Sequence, residues 1–168
     1  TAGFNTVDIS ALENATTWLT LLLMFIGGGS MSTASGIKLV TFIVLIMSAY
    51  SYLRRDPSPA IFGCALSDET RGKALALTLI STVIAWLAIF ILSMTENAAF
   101  IDIIFEAISA LGTVGLSRGL TGELSDAGGL VIIFLMFIGR LGPLTIAYFL
   151  ASPRQKRIKY PNSTLPVG

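Results

Sequence analysis

The stretch that decides the fold is Leu111-Gly112-Thr113-Val114-Gly115-Leu116-Ser117. The apolar segment before it, Phe100 to Leu111, would form a helix of about 18 Å, whereas a bilayer crossing takes about 20 residues. Such a helix enters the membrane and stops there. In the Thr-x-Gly loop that follows, glycine can adopt φ values that other residues avoid, so successive carbonyl groups can face one axis. Because rings of carbonyl groups replace the hydration shell of a permeating cation, the stretch predicts an ion filter.

A second copy of this pattern opens the sequence. A shift of 112 residues, from position 1 to position 113, places Thr1 on Thr113 and Gly3 on Gly115, and it also aligns two copies of the motif LMFIG. A period this long in an apolar chain is typical of the internal repeats of membrane transporters. Similar composition of apolar helices is the alternative, but it does not account for the paired Thr-x-Gly loops. The predicted filter residues are Thr1, Ala2, Gly3, Phe4, Thr113, Val114, Gly115 and Leu116.

The composition places the chain among the integral membrane proteins. Hydrophobic residues make up 54% of the sequence, charged residues 12%, and the mean hydropathy is +0.79. A soluble domain of this size needs more polar surface. We therefore predict an all-α integral membrane protein. The chain has no histidine, one cysteine (Cys64) and no pair of carboxylates within a span, so it lacks the groups of an enzymatic centre, and we predict that it is not an enzyme.

A glycine-rich loop interrupts the first long apolar segment. A continuous helix from Trp18 to Leu53 would be about 54 Å long, well above the hydrocarbon thickness of about 30 Å. The segment must therefore bend or unwind, and the loop 27–36 marks the place. Its free backbone groups cannot face lipid, so the loop lies in protein or in a water-filled cavity. We interpret it as a gate in the permeation path; a close helix crossing of the small-xxx-small type is the alternative.

Arg140 is the most informative single charge. An arginine near the middle of a bilayer is costly, so Arg140 should face the interior and contact acceptors. The repeat places it level with Gly28, and we expect it to hold the loop 27–36 across the pore. A static pin between helices is the alternative. The residues assigned to the gate are Gly27, Gly28, Gly29, Ser30, Ser32, Thr33, Ser35, Gly36 and Arg140.

The rest of the chain divides at its polar segments. Because residue 1 already lies inside a motif, we expect the chain to be the C-terminal part of a longer protein. It should contain the end of one repeat, residues 1–53, and all of the next, residues 74–151. The predicted segments are a filter strand 1–6, a broken helix 18–53, a linker 54–73, a helix 74–94, a pore helix 100–111, a filter 113–117, a helix 128–151 and a tail 152–168.

The distribution of charge predicts the orientation. Most of the 11 lysine and arginine residues lie in the linker and the tail, which the positive-inside rule assigns to the cytoplasm. The filters then open to the outside. Acidic residues cluster on that face and would concentrate cations at the mouth, although helix capping and solvation explain most of them individually. These residues are Asp8, Glu13, Glu96, Asp102, Glu106, Glu123 and Asp126.

Three motifs in order carry a family resemblance. The opening TAGFNT, the loop GGGSMSTASGIK at 27–38 and the motif GRLGPLT at 139–145 together resemble the membrane subunit of bacterial Ktr potassium transporters, within the Trk/Ktr/HKT superfamily. The form of the last motif is similar to the Ktr branch rather than to Trk. Met31 and Ser35 stand where glycine is frequent in the family.

The resemblance implies a potassium-channel type of architecture and its partners. Four units, each a helix (M1), a pore helix with filter loop (P) and a second helix (M2), would surround one pore, and this chain would hold the third from its filter onward and the fourth. Potassium would bind at filter carbonyls around Gly3 and Gly115, and no resident cofactor is implied. Uptake would often depend on sodium, as activator or co-transported ion. The implied setting is a multi-pass homodimer in the bacterial cytoplasmic membrane, in contact with lipid and with a cytosolic ring of nucleotide-binding (RCK type) regulatory subunits, and without nucleic acid.

Two other classes remain open on the residues alone. A secondary transporter of a small solute could also use a discontinuous helix and a membrane arginine. It would account for Arg140 but not for paired Thr-x-Gly loops behind a short helix. A membrane enzyme is the weaker alternative, because the chain lacks the acid, base and metal ligands that such chemistry needs. A purely structural subunit would not need the intramembrane loop.

Overall fold

The computed structural model describes residues 2–29, 35–54, 60–61, 64–142 and 145, and this part of the chain is mainly helical. Two-residue strands, Ala60–Ile61 (β1) and Cys64–Ala65 (β2), pair antiparallel within the predicted linker and are a small exception to the all-α prediction. Cys64 lies in the second of these short strands. The α-helices are α1 (Asn14–Ile26), α2 (Leu39–Arg54), α3 (Asp68–Thr95), α4 (Phe100–Leu111) and α5 (Asp126–Leu141).

The short helix α4 lies at the centre of the packing. It contacts α1, α3 and α5, and most of its residues are buried, including Phe105 and Ala107. One face packs with α3 and α5, and the other packs with Leu21 and Met24 of α1. A helix of 12 residues is too short to cross a bilayer, so its burial among longer helices satisfies the expectation that it ends inside the protein.

Helix α3 is longer than the predicted span 74–94. It begins at Asp68, where the hydroxyl group of Ser67 accepts a hydrogen bond from the Thr70 backbone N–H. A serine followed by Asp68 and Glu69 is a typical helix start, because acidic side chains favour the first turn, so the helix begins before the uncharged apolar segment from which the span 74–94 was predicted. The predicted linker 54–73 is therefore shorter in the structure, since its last residues belong to α3.

The helices expose large apolar surfaces. Among the described residues, α3 is the one helix long and apolar enough to cross a membrane by length and composition, and only 22% of its most apolar window is buried. Trp86 and Phe90 are among its exposed side chains. Helices α1 and α2 are apolar but shorter. Exposed apolar faces of this extent are typical of contact with lipid or with further membrane helices.

Two parts of the chain follow the same order of elements. A 3₁₀ turn, Ile9–Ala11, precedes α1, and a second 3₁₀ turn, Leu120–Glu123, precedes α5. The shift that aligns Gly3 with Gly115 also aligns the first residue of α1, Asn14, with the first residue of α5, Asp126. The order glycine loop, 3₁₀ turn, helix therefore occurs twice. The predicted helix 128–151 begins two residues earlier, at Asp126, and α5 ends at Leu141 rather than continuing to 151, because the following Gly142 has a φ of 86° and caps the helix. Residues 143–144 and those from 146 onward lie outside the described residues.

Candidate functional site

The two glycine loops lie next to each other. Gly3 has a φ of 71° and Gly115 a φ of 86°, values that favour glycine. A Cβ atom built on Gly3 would lie 2.6 Å from the carbonyl oxygen of Val114, and one on Gly115 would lie 3.8 Å from Cα of Gly3. The sequence pattern proposed two related loops. The structure brings their glycines into contact, although they are more than 100 positions apart in the chain.

The second glycine loop, which contains Gly115 and is called the second loop below, is anchored to the end of α4. The backbone N–H groups of Gly112, Thr113 and Val114 donate to carbonyl oxygens in the last turn of α4, at distances of 2.8 to 3.1 Å. The Val114 side chain is buried and packs against Phe105 and residues of α1. Thr113 has a φ of 50°, which is uncommon for a residue with a Cβ atom. The loop is thus held in a defined conformation directly after the helix.

An open cavity of about 420 Å³ adjoins this loop. Gly115 is exposed there, and the lining combines polar groups with a few apolar side chains of α4 and α5. The polar lining residues are Glu106, Ser109, Thr113, Ser117, Thr121 and Arg140. The second loop therefore has one side in the packed core and the other side in open space.

Glu106 is a buried carboxylate behind the second loop. It is 5% exposed, accepts a hydrogen bond of 2.9 Å from the Ser117 hydroxyl group, and accepts another from Thr121. A buried carboxylate is stabilised by such donors, since leaving it without partners is costly. The sequence suggested an acidic residue on the outer face at this position. In the structure Glu106 connects α4 to the segment that follows the second loop.

Backbone contacts close the base of the break between α1 and α2. We call this base the neck; it consists of residues 25–27 and 35–38. Gly27 ends α1 with a φ of 75°, and Gly36 has a φ of 95°. Beyond them, the N–H groups of Ile37 and Lys38 donate to the carbonyl oxygens of Phe25 and Ile26, at 3.3 and 2.8 Å. These bonds satisfy carbonyl groups that the end of α1 leaves without helical partners. The chain therefore leaves the end of α1 and comes back to that same end before α2 begins.

A close backbone approach explains why glycines form this neck. A Cβ atom on Gly27 would overlap the carbonyl oxygen of Ser35, and one on Gly36 would lie 3.1 Å from the carbonyl oxygen of Phe25. The predicted gate residues Gly28 and Gly29 lie at the beginning of the loop, and Gly29 is exposed. The gate residues Ser30, Ser32 and Thr33, and the filter residue Thr1, lie outside the described residues.

A hydrogen bond joins the neck to the second loop. The hydroxyl group of Thr113 donates to that of Ser35 at 2.9 Å, and Ser35 is 7% exposed. This contact brings a predicted filter residue and a predicted gate residue together. Among the other predicted filter residues, Ala2 and Phe4 are exposed and Leu116 is half-buried.

Arg140 lies in the last turn of α5 and lines the cavity beside the second loop. Its side chain is exposed to that open space. The neighbouring Gly139 packs directly on the Leu111 backbone, where a Cβ atom would overlap the carbonyl oxygen. Arg140 therefore lines the same cavity as Thr113 and Gly115 of the second loop. The contact predicted between Arg140 and the loop 27–36 stays a prediction, because the tip of that loop is outside the described residues.

Two carboxyl groups in the loops between helices, Asp8 and Glu96, have lowered pKa values. The Ser125 hydroxyl group and backbone N–H donate to Glu96, which holds the pKa of this carboxyl below its ordinary value. Ser10 lowers the pKa of Asp8 in the same way. Asp8 thereby caps the 3₁₀ turn that follows it, whereas Glu96 holds Ser125, the residue that caps α5. Helix capping, the local role expected for acidic residues, therefore accounts for Asp8 directly and for Glu96 through Ser125.

Comparison with known proteins identifies the family. Residues 1–160 match the TrkH family, described as cation transport proteins. This chain belongs to the TrkH family. The resemblance to the Trk/Ktr group is confirmed.

Several proteins similar to this TrkH-family chain are named as potassium uptake proteins. The Ktr system potassium uptake protein B of Bacillus subtilis is 49% identical over 168 residues, which are all of this chain and 38% of that protein. The protein of the same name from Vibrio alginolyticus is 44% identical over 168 residues, all of this chain and 37% of that protein. The potassium/sodium uptake protein NtpJ of Enterococcus hirae is 36% identical over 175 residues, again all of this chain and 39% of that protein. The TrkH-family chain therefore spans well under half the length of these relatives.

Proposed function

We propose that the protein containing this chain takes up potassium ions across the bacterial cytoplasmic membrane, through a filter whose strands include residues 1–6 and 113–117. The observation that carries the proposal is the contact between two positive-φ glycines, Gly3 and Gly115, that occupy equivalent positions in the two halves of the chain. Potassium would bind at the carbonyl groups around these glycines. Carbonyl groups can replace the hydration shell of this ion, and Gly115 opens onto the cavity.

The proposed architecture follows from this arrangement. Helices α3, α4 and α5 are M1, pore helix and M2 of a fourth unit, and α1 and α2 form the broken M2 of a third. The first two units and the beginning of the third come from the rest of a longer chain, which agrees with the greater length of the relatives. With the linker 54–73 and the tail 152–168 in the cytoplasm, the filter faces outward.

The loop 27–36 is the proposed gate. The backbone bonds of its neck hold the end of α1 to the beginning of α2, so a shift of the loop would not require these two helices to separate. The hydrogen bond from Thr113 to Ser35 connects the gate to the filter. Arg140 lines the cavity on the same side of the protein as Thr113, which is compatible with a latch on the loop.

The partners are proposed from the relatives. Sodium acts as an activator or co-ion, an idea that the name of the potassium/sodium uptake protein NtpJ supports. The protein forms a homodimer on a cytosolic, nucleotide-binding ring of RCK type, in line with relatives that are named as one component of a Ktr system.

Potassium uptake with sodium competition tests the filter. Uptake-deficient bacteria would express the full-length protein, unmodified, with Gly115→Ser, and with Gly122→Ser as the matched control. Position 115 has a positive φ, so serine distorts the filter, and we expect the apparent affinity for potassium to fall by about tenfold or more. At Gly122 a Cβ atom would meet no atom within 4 Å, so uptake should be unchanged.

Two outcomes would contradict the proposal. One is an unmodified protein that reaches the membrane but carries no potassium. The other is a well-expressed Gly115→Ser variant with unchanged affinity and selectivity. Either result would favour a solute transporter built on the broken helix.

A further inference from the structure

Arg118 joins the two halves of the chain at the outer end of the filter. Its Nε atom donates to Oδ1 of Asp102 in α4 at 2.6 Å, forming an ion pair. Its two terminal nitrogens reach across to the other half, donating to the carbonyl oxygen of Ile9 at 3.1 Å, to that of Ser10 at 3.3 Å and to the Thr17 hydroxyl group at 3.3 Å. One side chain therefore uses all its nitrogens to bridge elements about 100 positions apart.

This bridge differs from an ordinary surface salt bridge. The side chain of Arg118 is 14% exposed, that of Asp102 is 28% exposed, and Thr17 is 1% exposed. Exposed ion pairs contribute little because water screens them, whereas charge-assisted hydrogen bonds in partly buried sites are stronger. The planar guanidinium group can also donate in several directions at once, which a lysine cannot reproduce.

The bridge lies close to the two filter glycines. Arg118 is three residues beyond Gly115, and its acceptors Ile9 and Ser10 form the 3₁₀ turn that follows Gly3. The segment that follows Gly115 is also held by Glu106, which accepts a hydrogen bond from Ser117 and lies one helical turn from Asp102 on α4. The contacts of Arg118 thus fix the distance between the segments that leave the two filter loops.

We propose that Arg118 is a positioning residue for ion selection, which sets the spacing of the two filter strands through Asp102 and the Ile9–Ala11 turn. The inference rests on the proposed potassium filter. Discrimination between potassium and the smaller sodium ion depends on the number and placement of coordinating carbonyl groups. Loss of the bridge would let the strand around Gly115 move relative to the strand around Gly3.

The test compares variants of the full-length protein in uptake-deficient bacteria; Arg118→Lys and the double variant keep the net charge, and the two other single variants change it by one. The variants are Arg118→Gln, Arg118→Lys, Asp102→Asn and the double variant Asp102→Asn/Arg118→Gln, with Lys73→Gln as control. Lys73 also forms an ion pair, with Glu69 at 2.6 Å, but at the opposite end of α3 from the filter. The readouts are the KM for potassium, the sodium inhibition constant and the maximal rate per transporter in the membrane.

For Arg118→Gln we expect the KM for potassium to rise about tenfold and sodium to compete better, because a charge-assisted bridge is lost. Arg118→Lys should give an intermediate KM. The double variant should be no worse than Arg118→Gln, since both substitutions remove the same contact. Lys73→Gln should match the unmodified protein.

Three results would overturn the inference. The first is a lower maximal rate in the Arg118 variants, explained by reduced protein amount, with KM and sodium inhibition unchanged. The second is a double variant whose effects are the sum of the two single changes. The third is a KM shift of the same size in Lys73→Gln. If the unmodified protein itself carries no potassium, the proposed function fails instead, which separates the two failures.

Discussion

The two halves of the chain begin alike and end differently. Each has a positive-φ glycine, then a 3₁₀ turn and then a helix; the glycines and the first residues of the helices occupy equivalent positions. The first helix, α1, ends at Gly27, whereas α5 continues through the equivalent Gly139 to Leu141. The same residue type therefore ends one helix and lies inside the other, so a glycine by itself does not decide where these helices stop.

The residues that follow the glycine explain the difference. Gly27 is followed by Gly28 and Gly29, and each glycine within a helix costs about 1 kcal/mol relative to alanine. Gly139 is followed by Arg140 and Leu141, which favour a helix. Helix α1 therefore ends at Ile26, whereas α5 continues three residues past the equivalent point, to Leu141.

The largest expected effect concerns the glycine inside α5. Gly139→Ala would force a Cβ atom into the Leu111 backbone, so we expect a loss of about 3 kcal/mol of folding free energy. The melting temperature of the purified full-length protein in detergent measures this loss. The matched control is Gly129→Ala in the same helix, where a Cβ atom would meet nothing within 4 Å and alanine should be tolerated. Equal melting temperatures for the two variants would contradict the packing role of Gly139.

At Gly27, the position directly after α1 that is equivalent to Gly139, we expect a smaller effect on stability but a larger effect on transport. Gly27→Ala strains a residue of positive φ by about 1–2 kcal/mol and pushes against the Ser35 carbonyl group, which should open the neck of the loop. If the loop obstructs the pore, potassium uptake per transporter should rise about tenfold.

Gly29→Ala is the control for this change, because a Cβ atom on Gly29 would meet nothing within 4 Å. Uptake by the control should equal that of the unmodified protein. A Gly27→Ala protein that melts earlier but transports at the normal rate would argue against the loop as a gate.

The smallest expected effect concerns the first turn of α5. Ser125 caps this helix and donates to Glu96, whereas Glu13 at the start of α1 makes no side-chain cap bond. Since the folded-state pKa of Glu96 lies below its unfolded-state value, the ionised carboxylate stabilises the fold at pH values above the unfolded-state pKa. This contribution is lost as the pH falls through the folded-state pKa.

Melting temperatures of the unmodified protein and of Glu96→Gln, taken from about pH 7 to about pH 3, measure this contribution. The two curves should lie apart at neutral pH and converge in acid. Glu123→Gln, in the exposed turn before α5, serves as the control for removal of a negative charge. A difference between Glu96→Gln and the unmodified protein that stays constant over this pH range would contradict the role of the ionised carboxylate.

Much of the local structure could be predicted from the sequence. Apolar segments and glycine punctuation located α4 and the break after Ile26, because helix length and backbone freedom are local properties. The prediction of a helix from residue 74 was wrong about the start of α3, which lies at Asp68, although Ser67 and the two acidic residues after it are typical of a helix start. The repeat could be recognised because the two copies share identical residues at equivalent positions.

The contacts of the site required the tertiary structure. The sequence alone determined a membrane protein of the TrkH family type, with two related glycine loops and an interrupted helix. That Gly3 meets Val114, that Thr113 bonds Ser35, and that Arg118 bridges to Ile9 were decided by folding. The physical reason is that composition and periodicity describe neighbours along the chain, whereas these partners are far apart in sequence and come together only when the helices pack around α4.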